Sequence, residues 1–126
     1  SQLIQTKHNK IHLDAYNANP SSVSLALKSF SKLQDPKKVV ILGDMFELGK
    51  DSLQEHQEIT NLAKELGFID VYLVGSNYTS VKTEYTQFLD FSDLDKHLKN
   101  KSIKNSTILI KGSRGMALER TLDCIS

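Results

Sequence analysis

The sequence predicts an α/β fold in which helices cover a mostly parallel β-sheet. Three short, largely apolar runs, at residues 39–42, 71–74 and 107–110, are the first observation behind this prediction. Uninterrupted runs of this kind are typical of strands buried on both faces, as in a parallel sheet. The second observation is that segments with helical periodicity separate the runs. Such alternation of strand and helix indicates parallel strands joined by crossover helices.

The first 35 residues are predicted to form a β-hairpin followed by a helix. Residues 2–7 and 10–15 alternate in polarity and are expected to be the strands of the hairpin. The helix is expected to begin at Asn19-Pro20, because asparagine caps helices and proline suits the first helical position. Asp35-Pro36 is expected to end it. Its apolar face consists of Val23, Ala26, Leu27, Phe30 and Leu33.

The remaining elements continue this alternation. Ser52 and Glu55 fit a capping box, which predicts a second helix that reaches Gly67. Residues 85–89 are expected to form a weaker strand, and a short helix is expected to begin near residues 92–95. The chain is expected to end in a helix that buries Leu118, Leu122 and Ile125. Together the elements predict a single domain, residues 1–126, with a three-layer Rossmann-like fold and a sheet of about six strands opened by the hairpin.

Composition and charge narrow the classes of protein to which the chain can belong. The 126 residues are 39% hydrophobic and 25% charged, which is ordinary for a globular domain. A net charge of +1 gives no field that would attract nucleic acid or a membrane surface. No apolar run approaches the roughly 20 residues that cross a bilayer, so no membrane insertion is expected. Cys124 is the only cysteine, which excludes an intrachain disulfide and favours a cytoplasmic location.

Four polar loops follow predicted strands, three of them contain glycine, and together they are the best candidates for a binding site. They cover residues 14–19, 43–49, 75–79 and 111–115. In an open parallel sheet the carboxyl ends of the strands lie along one edge, and ligands bind there. We therefore expect the four loops to face one crevice, although they are far apart in the sequence.

The first loop has residues that suit a nucleotide. Asp14 can accept hydrogen bonds from two neighbouring ribose hydroxyls, or it can bond to its own turn. Tyr16 can lie against an adenine face or pack at the edge of the sheet. Asn17 and Asn19 can donate to phosphate oxygens, although Asn19 is also explained as a helix cap.

The last loop, KGSRG, has the residues of an anion pocket. Lys111, Ser113 and Arg114 precede a predicted helix, and Arg114 can bind a carboxylate through two hydrogen bonds. The alternative is a surface loop whose glycines only permit the turn. The spacing does not match a Walker A loop.

The other polar residues do not indicate a catalytic centre. Asp44 and Glu47 can hold a cation or an ammonium group, or they can simply belong to a turn. His56 is expected to be a packed core histidine, because it lies near the apolar face of its helix. The remaining histidines, His8, His12 and His97, lack the spacing of metal ligands. No nucleophile elbow is present, so we assign no catalytic residue and no metal ligand.

Three motifs resemble the C-terminal domain of the Mur ligases. They are DAYNANP at residues 14–20, ILGDMFELG at residues 41–49 with a following helix that carries His56, and IKGSRGM at residues 110–116. The resemblance runs from about residue 11 to residue 122. The first two motifs are most similar to the family member that adds D-alanyl-D-alanine. The resemblance implies the third, Rossmann-like domain of an enzyme whose N-terminal and central domains belong to the same polypeptide.

The resemblance also implies a reaction for the whole enzyme. ATP would phosphorylate the terminal carboxylate of UDP-N-acetylmuramoyl-tripeptide, and the amine of D-alanyl-D-alanine would attack the acyl phosphate. The phosphate-binding loop and the Mg²⁺ ligands would lie in the central domain, outside this chain. This domain would help to bind ATP and the dipeptide and would close the active site, without being active alone.

By the same resemblance, two sets of residues receive roles. The nucleotide would be approached by Asp14, Tyr16 and Asn17, with Asp14 near the ribose. The incoming dipeptide would be faced by loops that carry Asn77, Tyr78, Lys111, Ser113 and Arg114. Two alternatives remain open: the same domain of a related Mur ligase that adds another amino acid, which DAYNANP disfavours, and a standalone Rossmann-like binding module without catalysis.

Overall fold

The computed structural model describes residues 2–125 and contains a six-stranded sheet with the strand order β1-β2-β6-β3-β4-β5. The strands are β1 (Gln2–Gln5), β2 (Asn9–Asp14), β3 (Lys38–Gly43), β4 (Asp70–Val74), β5 (Thr86–Phe88) and β6 (Ser106–Lys111). The helices are α1 (Pro20–Ser31), α2 (Ser52–Glu65) and α3 (Phe91–Asn100). Only β1 is antiparallel to its neighbour, and the other pairings are parallel. The predicted mostly parallel sheet, opened by a hairpin, is confirmed.

Each face of the sheet has its own apolar core, so the fold has three layers. Helices α1 and α2 cover one face, and α3 and the C-terminal segment cover the other. Strand β3 serves both cores, because Val40 and Leu42 point to the first and Val39 and Ile41 to the second. Its uninterrupted apolar run is explained by burial on both faces.

Helix α1 begins as the sequence predicts and ends earlier. The Asn19 side chain accepts a hydrogen bond from the Ser22 backbone at 2.9 Å, and the Ser22 hydroxyl accepts one from the Asn19 backbone at 3.1 Å. The last helical residue is Ser31, four residues before the Asp35-Pro36 pair expected to end the helix. Lys38 of β3 donates to the Ser31 carbonyl at 3.0 Å, so a lysine satisfies an end of the helix that proline was expected to break.

The predicted capping box at the start of α2 is wrong. Ser52 is the first residue of the helix, and Asp51, at the capping position, makes no side-chain cap bond. A 3₁₀ turn (Gly49–Asp51) leads directly into the helix and already orders its first backbone groups. The Ser52 hydroxyl is directed instead to the Asn77 side chain, at 3.2 Å.

Helix α3 begins at Phe91, one residue before the expected start. Its cap is Asp90, whose carboxylate accepts a hydrogen bond from the Asp93 backbone at 3.0 Å. Sequence periodicity located the helix through Leu94 and Leu98, both of which are fully buried.

The predicted C-terminal α-helix is also wrong, because the segment forms 3₁₀ helices at Arg114–Met116 and Leu118–Cys124. Ala117 joins them in a left-handed conformation, with φ of 50°. The buried residues of the second helix, Leu118 and Thr121, are three positions apart, which is the period of a 3₁₀ helix. Leu118 also packs closely against the sheet at Gly43, where an added Cβ would be 2.7 Å from the Leu118 Cδ1.

Candidate functional site

The predicted loops meet at the carboxyl edge of the sheet. Strands β2, β6, β3 and β4 are consecutive neighbours and run in parallel, so the segments that follow them emerge side by side. The register places Asp14 opposite Lys111, and Lys111 opposite Leu42. The expectation that these distant loops share one edge of the sheet is confirmed, although the cleft at this edge has no lining residue from the loop at residues 14–19.

An ion pair joins the loops that follow β2 and β6. The Lys111 ammonium donates to the Asp14 carboxylate at 2.8 Å and to the Asn17 carbonyl at 2.7 Å. The Lys111 side chain is 3% exposed, whereas that of Asp14 is 30% exposed. Ser113 lies over the same junction, with its hydroxyl 3.5 Å from the Ala18 carbonyl. The buried Lys111 side chain therefore holds the loop at residues 14–19 in place. The exposed part of the Asp14 carboxylate remains accessible to a ligand.

Tyr16 and Arg114 lie together on the outer side of this junction. Tyr16 is 62% exposed, and the Arg114 guanidinium is 5.7 Å from the centroid of its ring. Asn17 is exposed as well. A residue predicted for the nucleotide thus shares a surface with a residue predicted for the dipeptide.

A cleft of about 280 Å³ lies between the loops that follow β3, β4, β5 and β6. Apolar side chains, one cation and the carboxylates of Asp44 and Asp90 line it. Its lining includes Phe46, Ser76, Leu89, Asp90, Phe91, Met116 and Arg120.

Arg120 is the cation of the cleft, and no motif in the sequence marks it as a site residue. Its guanidinium lies 4.1 Å from the centroid of the Phe91 ring and donates to the Met116 and Ala117 carbonyls at 3.0 and 2.9 Å. Within residues 2–125, no hydrogen bond is made by its Nη1 group, which points to a donor available for an anion. Arg120 lies in the second 3₁₀ helix, a course of the chain that periodicity did not predict.

The loops that follow β3 and β4 are joined by a buried carboxylate. Asp44 is 2% exposed and accepts hydrogen bonds from the backbones of Asn77 and Tyr78 and from the Asn77 amide, at 3.1 to 3.2 Å. Gly75 makes room for it, since a Cβ there would be 2.2 Å from the Asp44 Cγ. Of the two interpretations, the turn applies to Asp44. Glu47 has φ of 64° and is exposed, so it also belongs to a turn.

Tyr78 is inside the core rather than at the edge. Its side chain is fully buried, and its ring contacts the edge of the His56 ring at a centroid distance of 4.6 Å. Burial raises the pKa of the Tyr78 hydroxyl. His56 is also fully buried, as the sequence predicts. Both polar atoms of the Asn77 side chain bond within the loops, to Asp44 and Ser52. The side chains of Asn77 and Tyr78 therefore stabilise the loop after β4 and are not directed at a ligand.

Residues 2–125 contain neither a metal-binding cluster nor a helix suited to a membrane. No group of three or more His, Cys, Asp or Glu side chains is arranged to hold a metal ion. None of the helices in this part of the chain combines the length and the apolar character needed to cross a membrane.

Comparison with known proteins defines the class of this fold and site. The family model of the Mur ligase, glutamate ligase domain, matches residues 1–114. The chain therefore belongs to the Mur ligase family, as a C-terminal domain.

Individual relatives narrow the similarity. The chain is 32% identical to the UDP-N-acetylmuramoyl-tripeptide–D-alanyl-D-alanine ligase of Rickettsia prowazekii, over 97% of this chain and 28% of the relative. It is 35% identical to the ligase of the same name from Buchnera aphidicola subsp. Acyrthosiphon pisum, over 91% of this chain and 26% of the relative. The chain thus spans little more than a quarter of the length of these enzymes.

Solved structures agree with this similarity. The MurF ligase of Thermotoga maritima, crystallised in complex with ADP, superposes with a TM-score of 0.78 and 26% identity. The superposition includes 97% of this chain and 29% of the T. maritima protein. MurF of Acinetobacter baumannii gives a TM-score of 0.80 and 28% identity, with 97% of this chain and 28% of that protein covered.

Proposed function

We propose that residues 1–126 are one domain, the C-terminal domain of a ligase that joins D-alanyl-D-alanine to UDP-N-acetylmuramoyl-tripeptide at the expense of ATP. The reaction activates the tripeptide carboxylate as an acyl phosphate, which the dipeptide amine then attacks. This domain helps to bind ATP and the dipeptide, excludes water by closing over the other domains, and is inactive alone. Such an enzyme works in peptidoglycan precursor synthesis, in the cytoplasm.

The observation that carries this proposal is the arrangement of two half-sites along one edge of the sheet. On one side lies the open carboxylate of Asp14, beside the exposed Tyr16 ring. On the other lies the cleft with Arg120 at its wall. A ligase that brings an amine to a nucleotide-activated acyl group needs two such neighbouring sites.

The first half-site suits the ribose and base of ATP. A half-exposed carboxylate can accept two hydroxyl hydrogen bonds, and an exposed aromatic ring can stack on adenine. Asn17 lies on the same loop, whose backbone Lys111 holds. Mg²⁺ bound with ATP would neutralise phosphate charge, and by the family resemblance its ligands would lie in the central domain, outside this chain.

The second half-site suits a small peptide with apolar side groups and a carboxylate. The methyl groups of D-alanyl-D-alanine match the Phe46, Phe91 and Met116 side chains, and its carboxylate matches the Arg120 guanidinium. Ser113 and Arg114, on the loop that also carries Met116, would contact the dipeptide from the side of the first half-site. Lys111, Asn77 and Tyr78 would act on the dipeptide by holding these loops, because their side chains are buried or engaged.

Steady-state kinetics of the full-length parent protein test the proposal. We expect ADP release that depends on D-alanyl-D-alanine and the UDP-linked tripeptide. Asp14→Ala is expected to raise the KM for ATP, whereas Arg114→Ala and Arg120→Ala are expected to raise the KM for the dipeptide, each by about tenfold for one lost charge-assisted hydrogen bond.

Two results would contradict it. A native polypeptide of only this length, found by intact mass in the source cell, would favour a standalone binding module. Unchanged KM values in all three variants would remove the site assignment while leaving the family membership intact.

A further inference from the structure

A chain of hydrogen-bonded polar side chains next to the cleft includes two residues, His56 and Ser52, that have no role in the proposed chemistry. It runs from His56 in α2 through Ser52 and Asn77 to Asp44, and its two ends are the most buried, with exposures of 0% for His56 and 2% for Asp44. Polar groups in such surroundings are costly unless every one is bonded, and when they are they fix the elements that they join.

The partners of His56 determine where its proton lies. The Met45 backbone N–H, which can only donate, is 3.0 Å from Nε2, so Nε2 has no proton. The Ser52 carbonyl, which can only accept, is 2.7 Å from Nδ1, so Nδ1 has one. The ring is therefore neutral with its proton on Nδ1. The 3.9 Å between Nε2 and the Asp44 carboxylate is not an ion pair, because no proton lies between them.

The same polarity continues along the chain. The Ser52 hydroxyl, 3.3 Å from Nδ1, donates to the Asn77 side-chain oxygen at 3.2 Å. The Asn77 amide nitrogen then donates to the Asp44 carboxylate at 3.2 Å. The hydrogen bonds follow one consistent direction from His56 to Asp44, so the arrangement favours one tautomer of His56 and one orientation of the Asn77 amide.

We propose that His56 and Ser52 are positioning residues for the dipeptide cleft. His56 holds the backbone at Met45, next to Phe46, and Ser52 holds Asn77, next to Ser76. Phe46 and Ser76 both line the cleft, so helix α2 sets the distance between two of its walls. The role in dipeptide binding rests on the proposed function, whereas the tautomer does not.

The tautomer is tested by nitrogen NMR of the His56 imidazole in this chain. We expect a protonated Nδ1 and an unprotonated Nε2, and Ser52→Ala is expected to leave this pattern in place because the Ser52 carbonyl remains. A proton on Nε2, or a doubly protonated ring near neutral pH, would overturn the inference. The measurement requires no activity, so its result stands even if the parent protein is not the proposed ligase.

Kinetics of the full-length ligase test the positioning. His56→Leu keeps the volume but removes the acceptor for the Met45 N–H, and we expect the KM for D-alanyl-D-alanine to rise about tenfold. Ser52→Ala is expected to act in the same direction, and the KM for ATP is expected to change by less than about twofold in both. His56→Gln can still accept from Met45 and is expected to recover most of the affinity.

Thr60→Val is the matched control. Thr60 is in the same helix, is 2% exposed, and donates only to the His56 carbonyl, at 2.8 Å. It is expected to destabilise α2 without a selective effect on the dipeptide. If Thr60→Val raised the KM for the dipeptide as much as His56→Leu, or if the KM for ATP rose equally in the His56 and Ser52 variants, the positioning role would be refuted.

Discussion

The two pairs of loops at the carboxyl edge of the sheet are held together by different means. On the β2–β6 side, the buried ammonium of Lys111 meets a carboxylate, Asp14, that is 30% exposed. On the β3–β4 side, the carboxylate of Asp44 is buried and meets neutral N–H donors from Asn77 and Tyr78. The carboxylate of Asp14 therefore remains partly exposed to solvent, whereas the carboxylate of Asp44 is almost entirely buried.

This difference in burial suits Asp14 to binding a ligand and Asp44 to holding the loops in place. A partly exposed carboxylate can exchange water for a ligand at little cost. The exposed part of the Asp14 carboxylate can therefore bind a ligand. A carboxylate surrounded by oriented donors cannot, because each donor that lost it would be buried and unsatisfied. Similar residue types in similar positions therefore serve different purposes, and burial distinguishes them.

The largest effect is expected from Asp44→Ala. The change leaves two backbone N–H groups and an amide without an acceptor, so we expect a loss of about 3 kcal/mol in the free energy of unfolding. Urea denaturation of the chain measures it. Asp51→Ala, at an exposed aspartate whose side chain makes no cap bond, is the control and is expected to change stability by less than about 0.5 kcal/mol. Equal losses in the two variants would show that the enclosed carboxylate is not special.

Gly75→Ala tests the same side by steric means. A Cβ would be 2.2 Å from the Asp44 Cγ, and the φ of +128° is unfavourable for alanine, so we expect a loss of about 2 kcal/mol. Gly49 has φ of +58° and no atom within 4 Å of the Cβ position. Gly49→Ala is therefore expected to lose only about 1 kcal/mol, for the backbone alone. The difference in stability loss between the two variants, measured by thermal denaturation, reports the steric contact with Asp44. Equal losses would contradict a contribution from that contact.

Lys111→Met is expected to have a smaller effect on stability. Methionine fills the buried space, and the exposed part of Asp14 can be hydrated, so we expect a loss of about 1 kcal/mol. The KM for ATP of the full-length ligase is expected to rise more noticeably, because the Asn17 carbonyl loses its anchor. Lys99→Met, which breaks an exposed ion pair with Asp95, serves as the control. A loss from Lys111→Met as large as that from Asp44→Ala would remove the contrast between the two sides.

A third carboxylate, Asp95, extends the comparison and predicts the smallest effect. The Cys124 thiol donates to it at 2.8 Å, and burial together with this bond raises the pKa of Cys124 to about 11. Since the pKa in the folded state is raised, the stabilising contribution is complete below the ordinary value of 9.0 and is lost as the pH rises through about 11. Below that pH the group is a thiol, which is a poor nucleophile.

Alkylation of Cys124 by iodoacetamide measures this effect. At pH 9 we expect the folded chain to react more than about tenfold more slowly than the chain in urea. Asp95→Asn removes the negative neighbour and is expected to increase the rate in the folded state. Similar rates for folded and unfolded chains would contradict the raised pKa.

The sheet was predictable because its signal is local. The runs in β3, β4 and β6 are apolar at successive positions, and only a strand between two helical layers buries every side chain of such a run. The Asn19 cap was predictable for the same reason, since its partner Ser22 is three residues away. The edge that carries the loops follows from the parallel order of the strands.

The parts that could not be predicted depend on contacts distant in the sequence. Ser52 has the spacing of a capping residue, but Asn77 competes for its hydroxyl. Arg120 lines the cleft from a 3₁₀ segment, and that segment packs Leu118 against Gly43, 75 residues earlier in the chain. The burial of Lys111, which turns a predicted ligand contact into an anchor, requires the opposite loop to be in place.

The ion pair between Lys111 and Asp14 also has a consequence for the order of folding. Its partners are 97 residues apart, whereas Asp44 and Asn77 are 33 apart, and Asn9 of β2 donates to the carbonyl of Ile125, 116 residues away. Contacts across long segments form late because closing a long loop is entropically costly. During synthesis on the ribosome, β3 and β4 with the Asp44 loop can assemble early, whereas β2 can pair with β6 only after β6 has been made. The surface that displays Asp14 is thus completed only when nearly the whole chain has emerged.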